Sequence, residues 1–110
     1  TFGVPDSAGV PASLASDTVT VPYNDVAALR ALFAEKGGDI AGVIVEPVVG
    51  NMGCVAPETG FLEELIALCR THGAVSIFDE VMTGCRLSKA GYQGRAGLQP
   101  DMTCLGKVVG

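Results

Sequence analysis

Three short apolar runs, each ending in charge or glycine, alternate along this chain with two stretches whose apolar residues recur at helical spacing. The first run lies in Ile40 to Val45, where Ala41-Gly42-Val43-Ile44-Val45 is continuous, and it delivers Glu46-Pro47. The second, Val75-Ser76-Ile77-Phe78, is bounded by Gly73 and Gly84 and delivers the acidic pair Asp79-Glu80. Met102-Thr103-Cys104-Leu105 is a shorter third. Unbroken runs of this length suit strands covered on both faces, as in a parallel sheet.

Before the first run, Val26, Leu29, Leu32 and Phe33 share one helical face, with Asn24 as N-cap, Asp25 in the first turn and Gly37-Gly38 as the stop. A second helix is expected from near Thr59 or Gly60 to Thr71, turning Leu62, Leu65, Ile66 and Cys69 inward and ending at Gly73. The connection from Val45 to Val75 is long enough for a right-handed crossover between parallel strands, the βαβ unit. Thr1 to Pro22 reads as loop, because Pro5, Pro11 and Pro22 each remove a backbone donor, with room for a short strand around Thr18 to Val21. Polar, glycine-punctuated loop is expected again from Gly84 to Pro100. The fold class is therefore α/β.

Composition narrows this picture. A chain of 110 residues, 48% hydrophobic with 15 glycines, supports one modest core. Thr1 is not an initiator Met, and the chain stops within the apolar, glycine-rich Leu105-Gly106-Lys107-Val108-Val109-Gly110, so the expectation is an internal segment of a larger protein. A net charge of −5 without charge blocks argues against a nucleic-acid surface. No apolar run approaches the roughly 18 residues of a membrane span. Cys54, Cys69, Cys85 and Cys104 are scattered without a Cys-x-x-Cys pair, which suits free thiols in a reducing compartment. No metal site is expected, since the single histidine, His72, falls in a last helical turn where it favours the dipole.

In open α/β sheets ligands bind beyond the carboxyl ends of the strands, which is where Asp79 falls. A phosphate-loop ATPase would also end a strand in acid. It needs Gly-Lys followed by Ser or Thr, whereas Gly106-Lys107 is followed by Val108 and comes after the acidic strand. Lys107 in an apolar, glycine-lined setting suits an amine held partly neutral, as in covalent carbonyl chemistry. Paired with Asp79 at a neighbouring strand end, it supplies what pyridoxal phosphate (PLP) requires: an amine for its aldehyde and a carboxylate for its pyridinium nitrogen.

Three motifs carry a resemblance: Glu46-Pro47-Val48-Val49-Gly50-Asn51-Met52-Gly53, Phe78-Asp79-Glu80-Val81-Met82-Thr83-Gly84-Cys85-Arg86 and Pro100-Asp101-Met102-Thr103-Cys104-Leu105-Gly106-Lys107. The chain resembles, over nearly its whole length, the glutamate-1-semialdehyde 2,1-aminomutase family of the fold-type I, class III aminotransferase group. The early Gly3-Val4-Pro5-Asp6-Ser7-Ala8-Gly9-Val10-Pro11 loop belongs to the resemblance. Another class III transaminase using an external amino donor, or a non-catalytic relative, would share part of it. The Gly50-Asn51-Met52-Gly53 and Met82-Thr83-Gly84 variants favour the aminomutase.

The resemblance implies that residues 1–110 form part of a PLP-binding large domain with a mostly parallel sheet and crossover helices. Residues 1–22 would include a region that gates the active site. It implies that Lys107 binds the cofactor covalently and moves the substrate's proton, and that Asp79 pairs with the pyridinium nitrogen. Val81, two residues on along an extended chain, would press on one ring face, Asn51 would donate to the phenolic oxygen, and Glu46 would support that strand end. The reaction implied is conversion of glutamate-1-semialdehyde to 5-aminolevulinate for tetrapyrrole synthesis, starting from pyridoxamine phosphate. A cytoplasmic or plastid homodimer is implied, in which a partner threonine reaches the phosphate. Cys85, where the family commonly carries an aromatic residue, and the Ser88 to Arg95 loop depart from its pattern.

Overall fold

A computed structural model describes residues 8–109. Its helices are α1 (Ala12–Ser16), α2 (Val26–Lys36), α3 (Phe61–His72) and α4 (Gly91–Ala96), and its strands β1 (Gly42–Val45), β2 (Val75–Asp79) and β3 (Met102–Cys104). Short 3₁₀ turns occupy Gly37–Asp39, Gly50–Met52 and Lys107–Val109. The strands form one parallel sheet in chain order, β1-β2-β3. Gly42 pairs with Val75 and Val45 with Phe78, while Ile77 pairs with Met102 and Asp79 with Cys104.

The sheet grows in one direction, and crossovers of the right-handed kind usual between parallel strands would lay α3 and α4 on one face. Leu29 and Phe33 of α2, Phe61, Leu62, Leu65, Ile66 and Cys69 of α3, Ala74, and Phe78 of β2 form the buried core, with Tyr92 and Leu98 from around α4 packed against it. Among the described residues the other face is open, and Ile44 is 62% and Met102 56% exposed. Burial takes the Cys69 thiol up to about 11, with Asp101 adding to the effect.

Several boundaries follow the sequence reading and others depart from it. Gly73 ends α3 in the left-handed region at φ 74, a conformation that carries little cost without a Cβ. At α2 the cap is Asp25, whose carboxylate accepts the Ala28 N–H at 2.8 Å; Asn24 stands outside the helix at φ 68. Asn24 instead clasps a distant loop, donating to the Ala56 carbonyl at 3.1 Å and accepting the Glu58 N–H at 2.9 Å. Thr18 to Val21 forms no strand, and the Pro11 end of the early loop opens α1. The expected loop after Gly84 contains α4, hidden because Gly91 and Gly94 weaken helix propensity. Residues 1–7, with most of the Gly3 to Pro11 loop, lie outside the described residues.

Two contacts fix the strand starts and the helix pair. The Asp101 carboxylate accepts from the Ser76 N–H at 2.8 Å and the Ser76 hydroxyl at 2.6 Å, pinning the entry to β3 beside β2. Those hydrogen bonds hold its carboxyl below the ordinary 3.8. Arg30 of α2 bonds Glu64 of α3 at 2.7 Å. No helix among the described residues is long and apolar enough to cross a membrane, and none of their acidic, Cys and His side chains cluster as a metal site.

Candidate active site

The parallel register sets Asp79 and Glu46 at the carboxyl edge of the sheet, and the turns that follow the strands carry Asn51, Val81 and Lys107. Asp79 closes β2 opposite Cys104 of β3, and Lys107 stands three residues beyond that partner. Pairing of Val45 with Phe78 brings Glu46 level with Asp79. Asn51 joins the edge through its side-chain amide, which donates to Glu46 Oε1, while Glu46 Oε2 accepts the Gly50 N–H at 2.9 Å. Glu46 thus shapes the turn that presents Asn51.

Val81 reaches the edge by a route other than the extended chain expected. β2 stops at Asp79, whose Oδ1 accepts the Val81 N–H at 3.0 Å and folds the chain into a turn. The Val81 side chain lies along Gly106, where an added Cβ would sit 3.4 Å from both Val81 methyl groups. The two motifs therefore touch immediately before Lys107. Lys107 itself has φ 51, a left-handed conformation that a residue with a Cβ adopts at a cost.

The loop from Glu46 to Glu58 is held at both legs by consecutive residues. Tyr23 donates its hydroxyl to the Pro47 carbonyl at 2.9 Å, and Asn24 clasps Ala56 and Glu58. Val49 and Val55 bridge the legs with reciprocal bonds of 2.9 and 3.1 Å. Burial pushes the Tyr23 phenol up to about 12, with Tyr92 and Glu46 adding to the effect. Across the edge, Met82 covers Gly50: a Cβ there would lie 3.0 Å from Met82 Cε.

Sequence reasoning missed Tyr23, the Met82 contact and Glu80. Nothing in the sequence points Tyr23 to a carbonyl 24 residues away. Glu80 did carry a signal, since alternation after Phe78 and Asp79 turns it toward the covered face. A cavity of about 870 Å³ lies elsewhere, between the Ser16–Tyr23 segment and the α2–β1 layer, and is lined by none of the five edge residues.

The profile of the class III aminotransferases matches residues 2–110. The chain belongs to that family. Within it, the chain is 70% identical over 110 residues to a glutamate-1-semialdehyde 2,1-aminomutase of Sorangium cellulosum, covering all of this chain and 25% of that protein. The solved ω-transaminase of Sphaerobacter thermophilus superposes with a TM-score of 0.89 at 32% identity, over 96% of this chain and 24% of that one. A glutamate-1-semialdehyde aminomutase of Pseudomonas aeruginosa, in complex with PMP, superposes with a TM-score of 0.76 at 40% identity, over 90% and 22%. The chain thus spans about a quarter of the length of the curated relatives it matches. It has the fold of part of a fold-type I PLP-dependent transferase, α/β with a parallel sheet.

A class III aminotransferase is a PLP protein, and this chain's residues fit that group chemically. One sheet edge carries a primary amine, a carboxylate, an amide N–H and a branched apolar side chain, which match an aldehyde, a pyridinium nitrogen, a phenolic oxygen and a ring face.

Proposed function

We propose that these residues belong to the PLP-binding large domain of an aminomutase that converts glutamate-1-semialdehyde, (S)-4-amino-5-oxopentanoate, to 5-aminolevulinate for tetrapyrrole synthesis. What supports the reading is that Asp79 ends β2 and Lys107 follows three residues beyond Cys104, its partner on the adjacent strand, in a chain 70% identical to a relative of that name. Bound PLP supplies an electron-accepting ring that lets an amino group move between neighbouring carbons of one substrate.

The chain's own groups have distinct tasks. Lys107 Nζ would hold the cofactor through its aldehyde and, once displaced by an incoming amino group, would be free as the base that moves a proton between neighbouring substrate carbons. The Asp79 carboxylate keeps a proton on the ring nitrogen, which preserves the ring's capacity to accept electrons. Val81 supports one face of the ring. Glu46 takes one amide hydrogen of Asn51 and so directs the other toward the phenolic oxygen. Residues 1–22 contribute to a gate over the site. The full-length protein is proposed to be a homodimer of the cytoplasm, or of the plastid stroma in a plant or alga.

The test supplies full-length protein with glutamate-1-semialdehyde and no amino donor, and measures 5-aminolevulinate. Product without donor is the expected result. The similarity to the ω-transaminase favours a second reading, a transaminase that consumes an external amine. Product that appears only with an added donor would decide for it.

A further inference from the structure

Glu80 is the one carboxylate in the described residues that is fully buried, and the proposed chemistry does not use it. Its Oε2 accepts the Thr83 hydroxyl at 2.7 Å and the Tyr92 N–H at 2.7 Å, and its Oε1 accepts the Gln93 N–H at 2.9 Å. The backbone of the same residue is also committed. Its N–H donates to the Cys104 carbonyl at 3.0 Å, and its carbonyl accepts the Gly84 N–H at 2.7 Å. Gln93 closes the circuit by donating its side-chain amide to Thr103 Oγ1 at 3.0 Å.

These bonds form a ring that runs from Glu80 through Gln93 of α4 to Thr103 and Cys104 of β3, then back to Glu80. Asp79 lies one residue before the ring and Lys107 three residues after it. We propose that Glu80 is a positioning residue that fixes Asp79 relative to Lys107, and so sets the span a bound cofactor has to bridge. The inference rests on the reading of those two residues given above.

A carboxylate suits this place because three donors converge on it and it presents acceptors only. Glutamine has the same shape but would set an N–H₂ group against one of those donors, so its replacement is a local test. The packing leaves little room for adjustment. Gly91, at φ 67, lies so close that an added Cβ would fall 2.2 Å from Glu80 Oε2.

The experiment compares full-length natural protein with Glu80→Gln, Thr83→Val and Asp101→Asn. It measures melting temperature, PLP dissociation, and the pH midpoint of the visible band of bound PLP. Asp101→Asn is the control, since it loosens the opposite end of the same two strands. The expected result for Glu80→Gln is at least tenfold weaker PLP retention and a displaced pH midpoint. Thr83→Val should shift both in the same direction by less, and Asp101→Asn should lower the melting temperature without moving the midpoint. If Glu80→Gln does not fold, Thr83→Val decides alone. A normal band in the natural protein, with both ring variants losing only melting temperature as Asp101→Asn does, overturns this inference and leaves the PLP reading intact. No band in the natural protein overturns that reading and the inference with it.

Discussion

Tyr23 reaches across 24 residues to hydrogen bond the Pro47 carbonyl, next to Glu46. Its ring meets Phe61 edge-on at 5.0 Å, so one residue joins the helical core to the loop that carries Asn51. Tyr23→Phe keeps the ring and removes the bond, and should cost about 1 kcal/mol in chemical denaturation. The phenol is held protonated in the folded state, so the stability it contributes is complete below its ordinary 10 and is lost as pH rises toward about 12. Unfolding curves of the Phe variant should lack that alkaline component. Identical curves for both proteins would remove Tyr23 from the account.

Asp101 predicts the opposite pH dependence. Its folded-state pKa lies below the ordinary 3.8 because the Ser76 hydroxyl and N–H hydrogen bond to the carboxylate. The folded state therefore binds this proton less readily than the unfolded state. The stabilisation is complete above the ordinary value and is lost as pH falls through the folded one. Asp101→Ala should flatten the acid limb of stability in that window, and an unchanged limb would refute the linkage.

Gly50 and Met82 should behave as a coupled pair. Gly50→Ala sets a methyl group 3.0 Å from Met82 Cε, tight enough that the thioether has to move. Met82→Ala removes the obstruction. In a double-mutant cycle the second substitution should relieve part of the first's cost, with a coupling of about 0.5–3 kcal/mol. Additive losses would mean that Met82 yields freely.

Asp79→Asn should leave PLP bound and slow turnover by about 100-fold or more, on the scale of a misplaced proton-managing group. Its carbonyl oxygen can still accept the Val81 N–H, so the turn should survive. The check is single-turnover kinetics beside the visible spectrum of bound PLP. A near-natural rate would deny Asp79 its pairing with the ring nitrogen.

Much of the architecture was legible because apolar residues were distributed for it. Leu62, Leu65, Ile66 and Cys69 recur at helical spacing, and all four are buried. The runs ending in Glu46, Asp79 and Leu105 locate the three parallel strands, and their register sets Glu46 level with Asp79 while Lys107 follows three residues beyond Cys104. What escaped notice depends on partners distant in sequence. α4, with two glycines in six residues, is held by the carboxylate of Glu80, and no local propensity reports that. Asn24 and Asp25 are both good caps, and the choice between them is made by Ala56 and Glu58.

Lys107 bends through the left-handed region, where a glycine would sit without a steric penalty. A single side chain there costs about 1 kcal/mol. Folding alone would therefore favour losing the amine at this position, and a screen for heat resistance that ignored turnover should drift toward glycine. Lys107→Gly should accordingly melt above Lys107→Ala as apoprotein, though neither retains the proposed chemistry. Equal melting of the two would mean that the turn stores nothing. Thermal robustness and the amine are thus set against each other at one residue.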